Sequence, residues 1–142
     1  MSRKIIYLIN PISGTRGKDS LRDLIARRTT AAGIPFEIMD TDIAAKYYAV
    51  RKKIIAESVT DVVVCGGDGS VNQVVHALSD LDVQFGIIPM GSGNGLALAA
   101  GIPKASEKPW TLFLQEKPGS PMHSWSINNL PVCCAAWVLT PR

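Results

Sequence analysis

Val62-Val63-Val64-Cys65-Gly66-Gly67-Asp68-Gly69-Ser70-Val71-Asn72-Gln73-Val74-Val75-His76-Ala77-Leu78 is the stretch from which the rest of the chain can be read. Its first four residues are a short apolar, β-branched run, the pattern of a strand buried on both faces. Glycines at 66, 67 and 69 then turn the chain without a linker. Val71, Val74, Val75 and Leu78 follow at i, i+3, i+4 and i+7, the stripe of an amphipathic helix. A strand that enters a helix through a glycine turn is the first half of a βαβ unit, and such units build parallel sheets.

The same alternation extends in both directions. Ile5 to Ile9 is another apolar run, stopped by Asn10-Pro11. From Lys18 the spacing predicts a helix with Leu21, Leu24, Ile25 and Ala32 on one face and Gly33 as its stop. Phe36 to Met39 predicts a strand ending at Asp40-Thr41-Asp42. Ala44 to Ser58 predicts a helix with Tyr47, Tyr48, Ile54 and Ile55 facing the core. Phe85 to Ile88 predicts a fourth strand, stopped by Pro89 and followed by Gly91-Ser92-Gly93-Asn94-Gly95. The order predicts an α/β domain of three layers, a parallel sheet with helices on both faces. After about Gly101 the pattern weakens. One more helix is predicted over Pro109 to Lys117, then an irregular tail with a strand near Ser124 to Ile127 and an Asn128-Asn129 turn.

Composition sets the outer limits. At 142 residues the chain fits one domain. With 46% hydrophobic and 19% charged residues it is neither disordered nor fibrous. Fifteen Lys and Arg against twelve Asp and Glu give a net charge of +3, too weak an excess to argue for nucleic acid. Cys65, Cys133 and Cys134 show neither CxxC nor zinc spacing, which predicts reduced thiols. The only apolar run near the N-terminus is too short for a signal peptide or for the roughly 20-residue span of a membrane helix. The expected location is the cytoplasm.

In parallel sheets ligands bind at the carboxyl ends of the strands. Three carboxyl-end loops here are rich in Gly, Asn, Ser and Thr: Asn10 to Gly17, Gly66 to Ser70, and Met90 to Asn94. A glycine turn at a helix start lets backbone N–H groups close on a phosphate, helped by the helix dipole. One such turn alone does not separate a nucleotide site from a tight turn; two at one edge fit a triphosphate. Asp68 would set an anion beside that anion, which makes sense if a metal or a proton transfer links them. Other motifs are weaker. Gly67 to Asn72 is a partial dinucleotide fingerprint, with Asn72 where a small residue should pack. Gly17-Lys18 is not a Walker A loop. His76 reads as a surface or packing residue. The basic groups Arg16, Lys18, Arg22, Arg27, Arg28 and Arg51, Lys52, Lys53 read as solvated helix surfaces.

Asn10-Pro11-Ile12-Ser13-Gly14, Gly66-Gly67-Asp68-Gly69-Ser70-Val71-Asn72-Gln73 and Gly91-Ser92-Gly93-Asn94-Gly95-Leu96-Ala97 stand in a characteristic order and spacing. In them, over about Lys4 to Pro103, the chain resembles the catalytic domain of the diacylglycerol kinase and sphingosine kinase superfamily, in particular its soluble bacterial lipid kinases. The resemblance implies a nucleotide-binding domain that uses ATP and Mg²⁺ to phosphorylate a lipid hydroxyl. It implies that Asn10, Pro11, Ser13 and Gly14 wrap the nucleotide, with Thr41 contributing from the second strand. It implies that Gly66, Gly67, Gly69, Ser70, Asn72 and Gln73 bind phosphates and that Gly91, Ser92, Gly93 and Asn94 complete the pocket. Asp68 would be the acidic member near the phosphates and the metal. Ser70 replaces a common Thr, Gln73 a common Glu, and Gly95 an Asp; Leu98 sits where an Arg is usual.

The resemblance also implies a β-sandwich second domain that carries the general base, and it assigns the base to no residue of this sequence. Residues 1–117 are expected to be the ATP-binding domain and 118–142 the aborted start of the second. Read two nucleotides forward, the codons of Val132 to Thr140 permit Met-Leu-Cys-Gly-Val-Gly-Phe-Asp-Ala, which looks like the start of that domain. The fragment is expected to be inactive or weakly active and to present uncovered surfaces for self-association into a homo-oligomer. A NAD kinase-like enzyme, which shares Gly-Gly-Asp-Gly, and a non-catalytic nucleotide-binding module are the alternative readings.

Overall fold

The computed structural model describes residues 2–11, 18–41, 46–89, 124–127, 130–133 and 138–139. The expected alternation is present: β1 (Ile5–Ile9), α1 (Lys18–Ala31), β2 (Phe36–Asp40), α2 (Tyr48–Glu57), β3 (Asp61–Gly66), α3 (Asp68–Leu78) and β4 (Gln84–Pro89). These four strands are parallel, in the order β2-β1-β3-β4. The chain leaves β1 toward one side of the sheet, then crosses back to continue on the other. The crevice between the carboxyl ends of β1 and β3 is therefore the topological switch point. Register sets the four carboxyl ends level, with Ile9 beside both Asp40 and Cys65, and Gly66 beside Pro89.

Side-chain alternation in the two central strands explains the three layers. Ile5, Tyr7 and Ile9 share one buried cluster with Val63, Cys65 and the α1 residue Ile25. Ile6, Leu8, Val62 and Val64 point the other way, into a cluster with Val50 and Ile54 of α2 and Val71, Val74 and Leu78 of α3. All five β1 residues are wholly buried, and each such apolar side chain contributes roughly 1.5–3 kcal/mol. On the α1 face, Tyr7 meets Phe36 edge-on and shares a 3.0 Å hydroxyl hydrogen bond with Thr29. Burial holds the Tyr7 phenol far above its ordinary pKa, so it stays neutral.

Helix ends follow local chemistry. Gly33, at φ +68°, stops α1 in a left-handed turn. The Ile34 N–H donates to the Thr29 carbonyl and the Gly33 N–H to Thr30, the paired bonds of a Schellman end. The start of α2 differs from the expected register. Tyr47 caps the helix with φ +47° and is buried, while Tyr48 and Ile55 are 72% and 67% exposed. Tyr47, Val50 and Ile54 form the inward stripe at i, i+3 and i+7, and the residues one step on are rotated about 100° away from the sheet. The predicted helix over 109–117 lies outside the described residues. In the tail, a strand runs over Ser124–Ile127 as read from the sequence, and two more follow at Leu130–Cys133 and Val138–Leu139. These three, β5 to β7, extend the sheet antiparallel from β4.

The amino edge of the sheet is fastened by a buried ion pair. Arg3 grips Asp61 with two bonds, Nε to Oδ2 at 3.1 Å and Nη2 to Oδ1 at 3.0 Å. The Thr60 hydroxyl donates to the same carboxylate at 2.6 Å. Removing one partner of a buried pair strands the other charge. Arg3→Met is expected to cost about 3–5 kcal/mol, measured as a shift of the urea unfolding midpoint. A change under about 1 kcal/mol would assign the pair the weak role of a surface bridge.

Candidate functional site

The carboxyl edge is built by how abruptly β3 becomes α3. Only Gly67 separates them, with extended backbone (φ −94°, ψ −176°). The first helical bond runs from the Val71 N–H to the Gly67 carbonyl at 3.1 Å. The N–H groups of the first turn have no partners within the helix, and the glycine at the cap offers no side chain to bond them. They open toward the switch point with the positive end of the helix dipole. Asp68 and Gly69 are exposed, and among the described residues a Cβ placed on Gly69 would meet nothing within 4 Å. The described residues thus leave this turn open, where an anion could approach backbone.

Asn10 closes the crevice from the β1 side. Its N–H donates to the Cys65 carbonyl at 3.0 Å, carrying the β1–β3 ladder one residue past the strand. Its side-chain amide donates to the Ser70 hydroxyl at 2.6 Å. Ser70 is 7% exposed and lies in the first turn of α3, so this bond joins the two loops across the switch point. Thr41 sits on the far side of β1, its N–H donating to the Ile9 carbonyl at 2.9 Å. Asn72 and Gln73 are exposed one turn further along α3, behind Asp68 and Gly69 at i+4.

Of the residues expected at the site, Asn10, Thr41, Gly66, Gly67, Asp68, Gly69 and Ser70 thus share one edge. Pro11 is exposed beside Asn10. Ser13, Gly14, Gly91, Ser92, Gly93 and Asn94 lie outside the described residues, although β4 delivers the chain to this same edge at Pro89, level with Gly66. His76 is exposed on the last turn of α3. Much of the basic surface is committed to ion pairs: Arg22 with Asp40, Arg51 with Asp80 and Lys53 with Glu37. Arg51 holds the Asp80 carboxyl down at about 2. Cys65 is wholly buried, and burial pushes its thiol well above the ordinary value, so it is an inert packing group rather than a nucleophile. One member of the edge, the Cys65 carbonyl that takes the Asn10 N–H, is a backbone group that no residue pattern could announce.

The model of the diacylglycerol kinase catalytic domain matches residues 4–120. The chain belongs to this family. Its relatives include a diacylglycerol kinase of Bacillus subtilis, 31% identical over 103 residues, which are 71% of this chain and 33% of that one. A diacylglycerol kinase of Mycobacterium tuberculosis is 31% identical over 106 residues, 74% of this chain and 34% of the relative. Among solved structures, a diacylglycerol kinase from Bacillus anthracis superposes with a TM-score of 0.65 at 24% identity, covering 81% of this chain and 40% of that one. That likeness shows the fold. This diacylglycerol kinase-family chain spans about a third of the length of the curated relatives it matches. Among the described residues no helix is long and apolar enough to cross a membrane.

The closeness of β3 to α3 makes Gly66 a steric requirement. A Cβ there would stand 3.0 Å from both Cβ and Oγ of Ser70 and 3.4 Å from the Asn10 Cβ. Gly66→Ala must push the first turn of α3 away from β3 or strain it in place. The expected cost is about 1–3 kcal/mol, the usual range for overpacking, again read by urea unfolding. An unchanged midpoint would mean that this approach is looser than the geometry states.

Proposed function

We propose that the carboxyl edge binds the phosphates of ATP for a lipid kinase that phosphorylates a diacylglycerol-like hydroxyl. The observation carrying this reading is the first turn of α3 at the switch point, whose cap residue Gly67 makes no side-chain bond to it, with no described residue over Gly69 and with Asn10 bonded across to Ser70. Family membership supplies the reaction class, and the edge supplies a place for a polyphosphate. In this reading the N–H groups of Asp68, Gly69 and Ser70 take phosphate oxygens. The Asn10 to Gly14 loop and Thr41 border the nucleotide, Asn72 and Gln73 extend the phosphate contacts, and Gly91 to Asn94 complete the pocket.

Mg²⁺ fits the donor set. Among the described residues no three His, Cys, Asp or Glu side chains cluster as a protein-only metal cage. Mg²⁺ needs none, since it keeps several waters and takes one or two carboxylates together with substrate phosphates. Asp68, exposed at the helix start, is the carboxylate that would hold it. When bound, the ion neutralises phosphate charge in a transfer that depends on positioning and electrostatics. The chain's own part is to orient the nucleotide through backbone donors on a rigid sheet. We place the acceptor contacts and the general base outside this chain, and the working location in the cytoplasm, with the lipid presented at a membrane surface.

The test is calorimetric titration of the 142-residue chain with ATP, with and without Mg²⁺, for wild type and Asp68→Ala. Wild type is expected to bind ATP more tightly with Mg²⁺, and Asp68→Ala to lose that enhancement. In the same preparations, transfer to diacylglycerol in vesicles is expected to stay near background. No ATP binding by wild type, or an unaltered Mg²⁺ effect in Asp68→Ala, would overturn the site. Turnover at ordinary kinase rates of about 1–100 s⁻¹ would overturn the placement of the base.

A further inference from the structure

The side chains of Asn10 and Ser70 are bonded to each other, and their surroundings say what that bond does. Ser70 is only 7% exposed, and its hydroxyl faces back toward β3, within 3.0 Å of the place a Gly66 Cβ would occupy. A hydroxyl so directed turns away from the open space over the first turn of α3. Asn10, fixed through its own N–H to Cys65, donates its amide to that hydroxyl from just past the end of β1, 60 residues away in sequence. The bond spans the crevice between the two strands whose loops flank the switch point.

We propose that Asn10 and Ser70 are positioning residues, a hydrogen-bonded lock that sets the first turn of α3 against the loop after β1, and that the Ser70 side chain makes no contact with the nucleotide. The inference rests on the phosphate-site reading above and deepens it, because it divides the edge by role. Backbone N–H groups of the first turn are the donors to phosphate. The Ser70 hydroxyl and the Asn10 amide hold those donors at a fixed separation from the opposite loop. Gly66 is part of the same device, since only a residue without a Cβ lets the first turn sit close enough for the bond to form. Preorganised donors bind better because less ordering remains to be done when the ligand arrives.

A double-mutant cycle separates a lock from a pair of independent contacts. ATP affinity with Mg²⁺ is measured for the full chain, Asn10→Ala, Ser70→Ala, the double variant and Ser70→Thr, with urea midpoints on the same samples. A lock predicts that each alanine weakens binding by a similar factor, about three- to tenfold, and that the double variant is no weaker than the weaker single. It also predicts that Ser70→Thr, which keeps the hydroxyl, binds within about twofold of wild type. Factors that multiply in the double variant, or Ser70→Ala binding as wild type does, would overturn the proposal. If Asn10→Ala fails to fold, the comparison of Ser70→Ala with Ser70→Thr decides: rescue by Thr upholds the lock, and no rescue refutes it. If wild type binds no ATP, the phosphate-site reading fails, while the cycle in urea midpoints still reports whether the two side chains are coupled.

Discussion

The carboxyl edge of this domain depends on how close the backbone of β3 comes to the first turn of α3. One residue links them, and the approach is so tight at Gly66 that a single added carbon would meet Ser70 at 3.0 Å. From that constraint the rest of the edge follows. The helix start is aimed at the switch point because the strand has no slack to aim it elsewhere. The first-turn N–H groups are presented together, and Ser70 is turned inward where Asn10 can reach it. The sheet contributes rigidity, since β1 and β3 are wholly buried between helices on both faces.

The two edges of the sheet divide the work. At the amino edge, the polar groups are spent on structure. Arg3 and Thr60 both bond the buried Asp61 carboxylate. Lys4, Glu57, Lys53 and Glu37 tie β1, α2 and β2 into one surface network. Arg51 fastens α2 to the end of α3, bonding both Asp80 and the Ala77 carbonyl. These interactions hold the far end of α3 while its start remains open. At the carboxyl edge the donors of that start lie beside the exposed Asp68 carboxylate, an arrangement suited to an anion that arrives with its own cation.

The architecture was legible because its signals are local. Val62 to Cys65 is apolar without interruption, and a residue run of that kind has few places to go except the middle of a parallel sheet. Gly33 announced the end of α1 through the one conformation that glycine adopts freely. The register of α2 was not legible. Tyr47, Tyr48, Ile54 and Ile55 offer two overlapping apolar stripes, and the sheet selects one by taking Tyr47 and Ile54 and leaving Tyr48 and Ile55 in solvent. The tail strands were partly hidden because Val138–Leu139 is too short to carry a period. At the candidate site the sequence named Asn10 and Ser70 as members but not as partners. A bond across 60 residues has no signature in composition or spacing.

In the proposed reading a polyphosphate sits at the start of α3 on the carboxyl edge of the sheet. Amide chemical-shift mapping with a non-hydrolysable ATP analogue and Mg²⁺ reads this most directly. The largest perturbations are expected at the amides of Gly67 to Ser70, with Asn10 and Thr41 beside them, and little change along Ser58 to Asp61 at the opposite edge. Perturbations concentrated on that opposite edge, or none at the start of α3 under saturating analogue, would contradict it.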